Sequence, residues 1–367
     1  ARAGRILLTQ PDGSRFYAVF AGDEFMKIKM TEAGDAIVQD TEGWWCYAVY
    51  DAHGRKTSTG CRVEGSDQTL FSGSDNVIPY ETLSRLASEK RRRAECARIM
   101  RKGCEMRLQT YDASRTDKAG LVILAQFAGP NEDFRTPAQS FVSMLTQDGY
   151  SSGGATGSAK EYFDNQFGGK YEFSFDVTDV VTVSQKRSYY GANDAEGDDE
   201  RAHKMIMEAC RLVDDQIDFS KYDQDGDGEV DNVFVFFAGS DEAEGAPEEC
   251  LWSHAWYVYS GAGITLELDN VMIDRYACTS EISRRYTQDG KFEEFLSGIG
   301  TFCHEYSHTF GLPDFYDTDY EKKGGWAAGL WGCTSLMDSG NSNNHGNTPP
   351  NFNAVERDIL GNVDGDL

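Results

Sequence analysis

The period of the apolar positions changes along this chain. Over residues 1–76 they come in short runs, at 4–9, 14–20, 24–30 and 44–50, that predict β-strands. Gln10-Pro-Asp-Gly-Ser14, Thr41-Glu-Gly43 and Asp51-Ala-His-Gly54 separate them as turns. Residues 81–108 predict one helix, with Leu83, Leu86, Ala87, Ala94, Ala97, Ile99 and Met100 at partial helical spacing. From Gly120 onward helices and strands mix. Residues 121–127 and 233–238 read as buried strands, and 171–177 and 180–183 as two more. Residues 138–145 and 159–167 predict helices, with a flexible Gly/Ser loop at 149–158 between them. Residues 197–217 predict an amphipathic helix carrying Ala202, Met205, Ile206, Ala209, Leu212, Val213 and Ile217 on one side. Residues 295–310 predict a helix that turns Leu296, Ile299 and Phe302 inward. The pattern is that of an α+β chain in three parts: a small β-rich module at 1–76, a helical connector at 77–117 and a main domain at 118–367.

Composition narrows the function. A length of 367 residues with 40% hydrophobic positions holds one large or two medium domains with true cores. No run of 18 apolar residues exists, so no transmembrane helix is expected. A net charge of -26 argues against nucleic-acid partners, which need a basic face. The sequence opens at Ala1 with no initiator Met, which is expected of a processed or engineered start. Nine cysteines leave at least one unpaired within the chain, and no C-x-x-C suggests a zinc-thiolate cluster. Cys303 reads as a small buried apolar residue. The one basic cluster, Lys90-Arg-Arg-Arg93, reads as a solvated helix face or as a processing connector.

The candidate chemistry sits at His304-Glu305-Tyr-Ser-His308. On a helix this H-E-x-x-H spacing sets two imidazoles one turn apart on one face, where both can reach a single zinc ion. Gly311 follows His308 by three residues and can end the helix in a left-handed turn. The chain can then bring Asp314 back as a third ligand, with Asp317 as its rival. The long metzincin pattern has this spacing, with His where Asp314 stands here. Ser335-Leu-Met337-Asp338 then suits a Met-turn, with Met337 supporting the site. Three protein ligands leave a fourth position for water, whose pKa the metal lowers to around 7. Glu305 is the candidate general base, and the implied reaction is peptide-bond hydrolysis without a covalent intermediate.

The run from His304 to Asp317 resembles the zinc signature of the immune inhibitor A family of bacterial secreted metallopeptidases. The stretches Tyr222 to Gly239 and Thr348 to Gly361 resemble two further segments of that family. The resemblance implies a zincin-type catalytic domain: a twisted sheet, a backing helix and an active-site helix, preceded by a pro-domain. It also implies a secreted zinc endopeptidase, made as a zymogen, that acts on protein or peptide substrates at the cell surface, in the periplasm or outside the cell, and a monomer is expected. One departure stands out. Family members often carry a Tyr shortly after the Met-turn, and Ser339 to His345 has none, which leaves His345 as a candidate oxyanion partner or a plain loop histidine.

Two further features bear on regulation and cofactors. Asp223, Asp225, Asp227, the Glu229 carbonyl and Asp231 stand at alternate positions around Gly228, as in the front of a calcium loop. The twelfth position is Phe234, so a complete EF-hand is excluded and calcium is the expected ion of a partial one. If residues 1–76 are a pro-region, Phe20-Ala-Gly-Asp23 resembles the short motif by which astacin-family zymogens place an aspartate on the metal, here Asp23, the other reading being a β-turn aspartate. Cys46 or Cys61 could serve instead as a thiolate. The readings outside peptide hydrolysis are a catalytically silent zincin that binds surface protein or glycan, which would lack Glu305, and a non-peptide zinc hydrolase with a different pocket.

Overall fold

The computed structural model describes residues 4–22, 25–51, 53–63, 78–104, 117–194, 197–286, 292–316 and 331–360. The first six strands pair antiparallel in two three-stranded sheets. β1 (Gly4–Thr9), β2 (Arg15–Gly22) and β3 (Lys27–Thr31) form one, and β4 (Ile37–Gln39), β5 (Trp45–Tyr50) and β6 (Lys56–Arg62) the other. β6 escapes sequence reading because Lys56-Thr-Ser-Thr-Gly-Cys-Arg62 is a polar edge strand with no apolar alternation. Phe16, Ala18 and Phe20 turn one face of β2 inward against Trp45 and Tyr47. Ala243 and Trp252, far along the chain, belong to the same cluster, so this module shares its core with the main domain. α1 (Tyr80–Cys104) follows, with Leu83 and Ala87 buried one turn apart. The proposed 76/77 boundary lies outside the described residues.

The main domain is built on a six-stranded mixed sheet. Its elements in chain order are β7 (Asp117–Phe127), α2 (Ala138–Thr146), α3 (Ala159–Gln166), β8 (Glu172–Val183), α4 (Arg187–Tyr190), α5 (Ala202–Val213), β9 (Val233–Ser240), β10 (His254–Tyr257) and α6 (Val258–Ala262). β11 (Leu266–Leu268), β12 (Val271–Ile273), β13 (Arg275–Tyr286), β14 (Phe292–Leu296), α7 (Ile299–His308) and α8 (Ala354–Ile359) complete it. The sheet runs β10-β13-β9-β7-β8, parallel from β13 to β8, with β10 and β14 antiparallel to β13. Both faces of its centre are covered. Leu121, Ile123, Val233, Val235 and Phe237 meet Met205, Ile206 and Ala209 of α5. Their alternates Val122, Leu124, Phe234 and Phe236 meet α2, α3 and α7. A strand buried on both faces reads as one apolar run, which is why β7 and β9 were legible.

Three readings need correction, and one strand was missed. The two strands expected at 171–183 are one, β8, whose register shifts opposite Val122 and Leu124. There the Thr178 hydroxyl accepts the Leu124 N–H at 3.3 Å and stands in for the lost ladder bond. The helix expected at 197–217 is shorter, Ala202–Val213, and Leu212 lies off its stripe, 42% exposed. The helix expected at 295–310 begins at Ile299. Phe292–Leu296 is instead β14, aligned with β13 so that Glu294 faces Arg284 at 3.2 Å. β13 itself was not foreseen. Thr279, Ser280 and Glu281 interrupt its apolar pattern, yet all three are buried. Glu281 accepts the Arg135, Thr136 and Gly239 amides at 2.7, 2.6 and 3.1 Å.

No helix among the described residues is long and apolar enough to cross a membrane. The cysteines Cys46, Cys61, Cys210, Cys250, Cys278, Cys303 and Cys333 are free thiols.

Candidate metal centre

Helix α7 carries its apolar stripe at Ile299, Phe302, Cys303 and Tyr306, the i, i+3, i+4, i+7 set of one helical face. Phe302 packs 4.5 Å from the Phe234 ring and 5.1 Å from Phe175, which docks the helix on the sheet. Gly300 permits the close approach of the 339–346 segment: a Cβ there would collide with the Asn341 carbonyl. The Gly300 amide donates to the Gly346 carbonyl at 2.7 Å, which seats the first turn.

With that face committed, His304, Glu305 and His308 project together. The imidazole centroids of His304 and His308 are 5.0 Å apart. The helix then ends at Gly311, whose φ of 94° is left-handed and whose amide returns to the His308 carbonyl at 2.9 Å. The reversal puts Asp314 Oδ1 at 3.1 Å from His304 Nε2 and 3.5 Å from His308 Nε2. Arg275 of β13 donates to the Thr309 carbonyl at 2.6 Å and pins the same helix end to the sheet. Asp317 lies outside the described residues.

Each histidine spends its other nitrogen on a backbone carbonyl. His304 Nδ1 bonds the Leu336 carbonyl at 2.8 Å, and His308 Nδ1 the Leu312 carbonyl at 2.7 Å. A carbonyl only accepts, so Nδ1 carries the proton and each neutral ring turns a lone pair from Nε2 toward Asp314. Asp314 Oδ1 is buried without a hydrogen bond. Burial opposes the charge of this carboxylate. Two imidazole nitrogens and an orphaned carboxylate oxygen pointing at one another fit a divalent cation with nitrogen and oxygen ligands. Glu305 stands beside them, 4.0 Å from His308 Nε2 and nearly buried.

Met337 is fully buried in the cluster that includes Phe302 and Cys303. Its carbonyl accepts the Phe315 amide at 2.7 Å, next to Asp314. Sequence reasoning passed over Glu356 of α8. It accepts the Met337 amide at 3.1 Å and the Ser335 hydroxyl at 2.6 Å. Its signal was present as Asn353-x-x-Glu356, a capping-box spacing. His345 stands outside the donor set, exposed, with its ring 5.7 Å from Phe295.

The acidic loop forms a separate cluster. Asp223, Asp225 and Asp227 bring carboxylate oxygens within 4.8 Å of one another. Gly226 and Gly228 adopt left-handed φ, and the Asp227 and Gly228 amides donate to Asp223 at 3.0 and 2.9 Å. Asp231 stands behind this triad and accepts the Gln224 amide at 3.2 Å. Burial pushes its carboxyl up to about 6, and the charge of Asp225 adds to the push. The Glu229 segment bridges to Met272 instead of closing a full loop. Phe234 is already buried in β9.

Asp23 lies outside the described residues. Cys46 is buried in its own module with Sγ 3.6 Å from Asp40, and burial raises its thiol pKa, the opposite of what a thiolate ligand needs. Cys61 is exposed on β6.

Two imidazoles, a converging carboxylate and an adjacent glutamate on a helix packed against a mixed sheet define the class of metallopeptidases. Residues 130–366 match the family model described as immune inhibitor A peptidase M6, catalytic domain, and the chain belongs to that family. Over 186 residues it is 31% identical to immune inhibitor A of Bacillus thuringiensis subsp. alesti, a match covering 45% of this chain and 26% of that protein. Over 237 residues it is 27% identical to the pre-pro-metalloprotease PrtV of Vibrio cholerae, covering 57% of this chain and 24% of the relative. The matched stretch thus spans about a quarter of the length of these relatives.

Proposed function

We propose that this chain is a zincin-type endopeptidase that hydrolyses peptide bonds of protein substrates outside the cell. His304, His308 and Asp314 hold a zinc ion and Glu305 is the general base. The observation that carries this reading is Asp314 Oδ1, buried without a hydrogen bond between two Nε2 atoms whose rings are both anchored through Nδ1. Zinc bound there supplies Lewis-acid polarisation of the scissile carbonyl and makes water a nucleophile at neutral pH. Glu305 accepts the proton of the attacking water and delivers it to the leaving amine. Its carboxylate lies beside the two imidazoles, 4.0 Å from His308 Nε2, where it can take up that proton. Met337 supports the pocket floor, and calcium in the loop of Asp223, Asp225, Asp227, Glu229 and Asp231 would neutralise the mutual repulsion of those carboxylates.

Residues 1–76 act as a pro-region joined through the 77–117 connector. Support comes from how the module is held. Lys29 Nζ reaches Glu242 Oε1 at 2.5 Å and Glu248 Oε1 at 2.9 Å, and Lys27 Nζ reaches Asp199 and Glu242 at 2.9 and 3.0 Å. Lys90 pairs with Asp198. Arg91 sits 4.8 Å over Phe25, whose ring meets Trp256 of the edge strand β10 at 4.8 Å. Half of the basic cluster therefore works at a contact, while Arg92 and Arg93 are exposed.

The test is zinc analysis of the purified chain together with cleavage of a casein-type substrate by Glu305→Ala. The expected result is one zinc per chain in both proteins and activity lowered about 10²–10⁴-fold in the variant. Unchanged cleavage by the variant rejects the mechanism.

A further inference from the structure

We propose that Glu356 is a positioning residue for the metal cage, acting through the Ser335–Met337 turn. This rests on the zinc reading of His304, His308 and Asp314. Glu356 is 0% exposed, and among the described residues it has no ion-pair partner. A buried carboxylate without a cation is costly, and three neutral donors offset that cost. Oε1 accepts the Ser335 hydroxyl at 2.6 Å and the Met337 amide at 3.1 Å, and Oε2 accepts the Asn353 amide at 2.6 Å. One side chain thereby ties the start of α8 to the residues on both sides of Leu336, the Ser335 hydroxyl and the Met337 amide.

Leu336 is the residue that matters for the site. Its carbonyl takes the Nδ1 proton of His304 at 2.8 Å and so sets the tautomer and ring orientation that aim Nε2 at Asp314. The next carbonyl, of Met337, takes the Phe315 amide at 2.7 Å and holds the segment that carries Asp314. Two of the three ligands are therefore registered against a turn whose position depends on Glu356. An apolar residue could fill the space, but it could not accept from three donors on two segments. Gln keeps the shape and turns an amide N–H₂ toward one of those donors, so it breaks the arrangement without opening a cavity.

The experiment compares the full chain with Glu356→Gln and Ser335→Ala. It measures Zn²⁺ affinity by chelator competition, the visible absorption of the Co²⁺-loaded proteins, thermal stability, and kcat and KM on a casein-derived peptide. Glu356→Gln is expected to weaken Zn²⁺ binding about 10–100-fold, to alter the Co²⁺ absorption band and to lower kcat with KM little changed. Ser335→Ala, which removes one of the three bonds, is expected to weaken Zn²⁺ binding several-fold. A Glu356→Gln protein with lower thermal stability but wild-type Zn²⁺ affinity and Co²⁺ spectrum overturns the proposal, because its role is then in folding alone. If Glu356→Gln does not fold, wild-type Zn²⁺ affinity in Ser335→Ala overturns it equally. A wild-type chain that binds no Zn²⁺ rejects the zinc reading itself, whereas binding that is equal in all three proteins rejects this inference and leaves that reading standing.

Discussion

Asp314 Oδ1 lies 3.1 Å from His304 Nε2, ten residues away along the chain and across the end of a helix. Neither atom has a proton to share while His304 Nδ1 holds its own on the Leu336 carbonyl. The contact makes chemical sense with a cation between the two. Asp314→Asn keeps the shape and removes the charge. It should weaken Zn²⁺ binding by more than the ~100-fold upper range for an outer-shell partner. Competition with a chelator of known affinity measures this, and wild-type affinity in the variant would remove Asp314 from the ligand set.

The module contact gives a second expectation. Lys29 is 1% exposed and bridges Glu242 and Glu248, while Glu242 is itself fully buried. Lys29→Met strips a cation from two carboxylates and should cost about 3–5 kcal/mol. It should also raise the rate at which limited proteolysis separates the module from the main domain and, if the module is inhibitory, raise peptidase activity. Unaltered melting and cleavage patterns would mean that these pairs do not hold the module.

His254 predicts a pH effect at the same contact, where a cavity of about 210 Å³ is lined by Lys27, Asp199, His203 and His254. Its Nδ1 bonds the Trp252 carbonyl at 2.7 Å and its Nε2 the Tyr276 hydroxyl at 2.9 Å. Burial depresses its pKa to about 4, with Lys27 and His203 adding to the fall and the Trp252 carbonyl opposing it. The unfolded imidazole titrates near 6.5. The folded value is the lower one, so the stability from this group is complete above pH 6.5 and drains away as pH falls toward 4. Asp199, raised by burial, works in the opposite sense over the same range. The useful quantity is therefore the stability gap between wild type and His254→Gln. That gap should narrow by up to about 3 kcal/mol from pH 6.5 to pH 4 in chemical denaturation. A constant gap would show that His254 is not held neutral.

The acidic loop predicts a calcium effect on stability. At calcium a hundredfold above its dissociation constant, the folded chain should gain about 2.7 kcal/mol. Asp225→Asn should abolish most of that gain, and a selective calcium chelator should reverse it in the wild type. Thermal melting that ignores calcium in both proteins would leave the loop as a turn that caps β9.

What the sequence determined by itself is local. His304, Glu305 and His308 share one turn of helix because a 3.6-residue period needs no distant contact. Gly311 ends that helix through its own left-handed φ, and β7 and β9 announced themselves as unbroken apolar runs. Tertiary structure decided what depends on residues far apart. β13 was hidden because Thr279 and Glu281 are satisfied by partners from other segments, while the Ser280 hydroxyl donates to the Ile282 carbonyl of the same strand. Leu212 left the buried stripe because α5 meets β7 and β9 along a narrower face than its sequence allows. The Nδ1 partners of His304 and His308, the reach of Asp314, and the tie from Glu356 to the Met337 turn are backbone and carboxylate contacts. Hydrogen-bond acceptors on the main chain carry no residue signature, so only the packing of α7 and α8 against one another's loops reveals them.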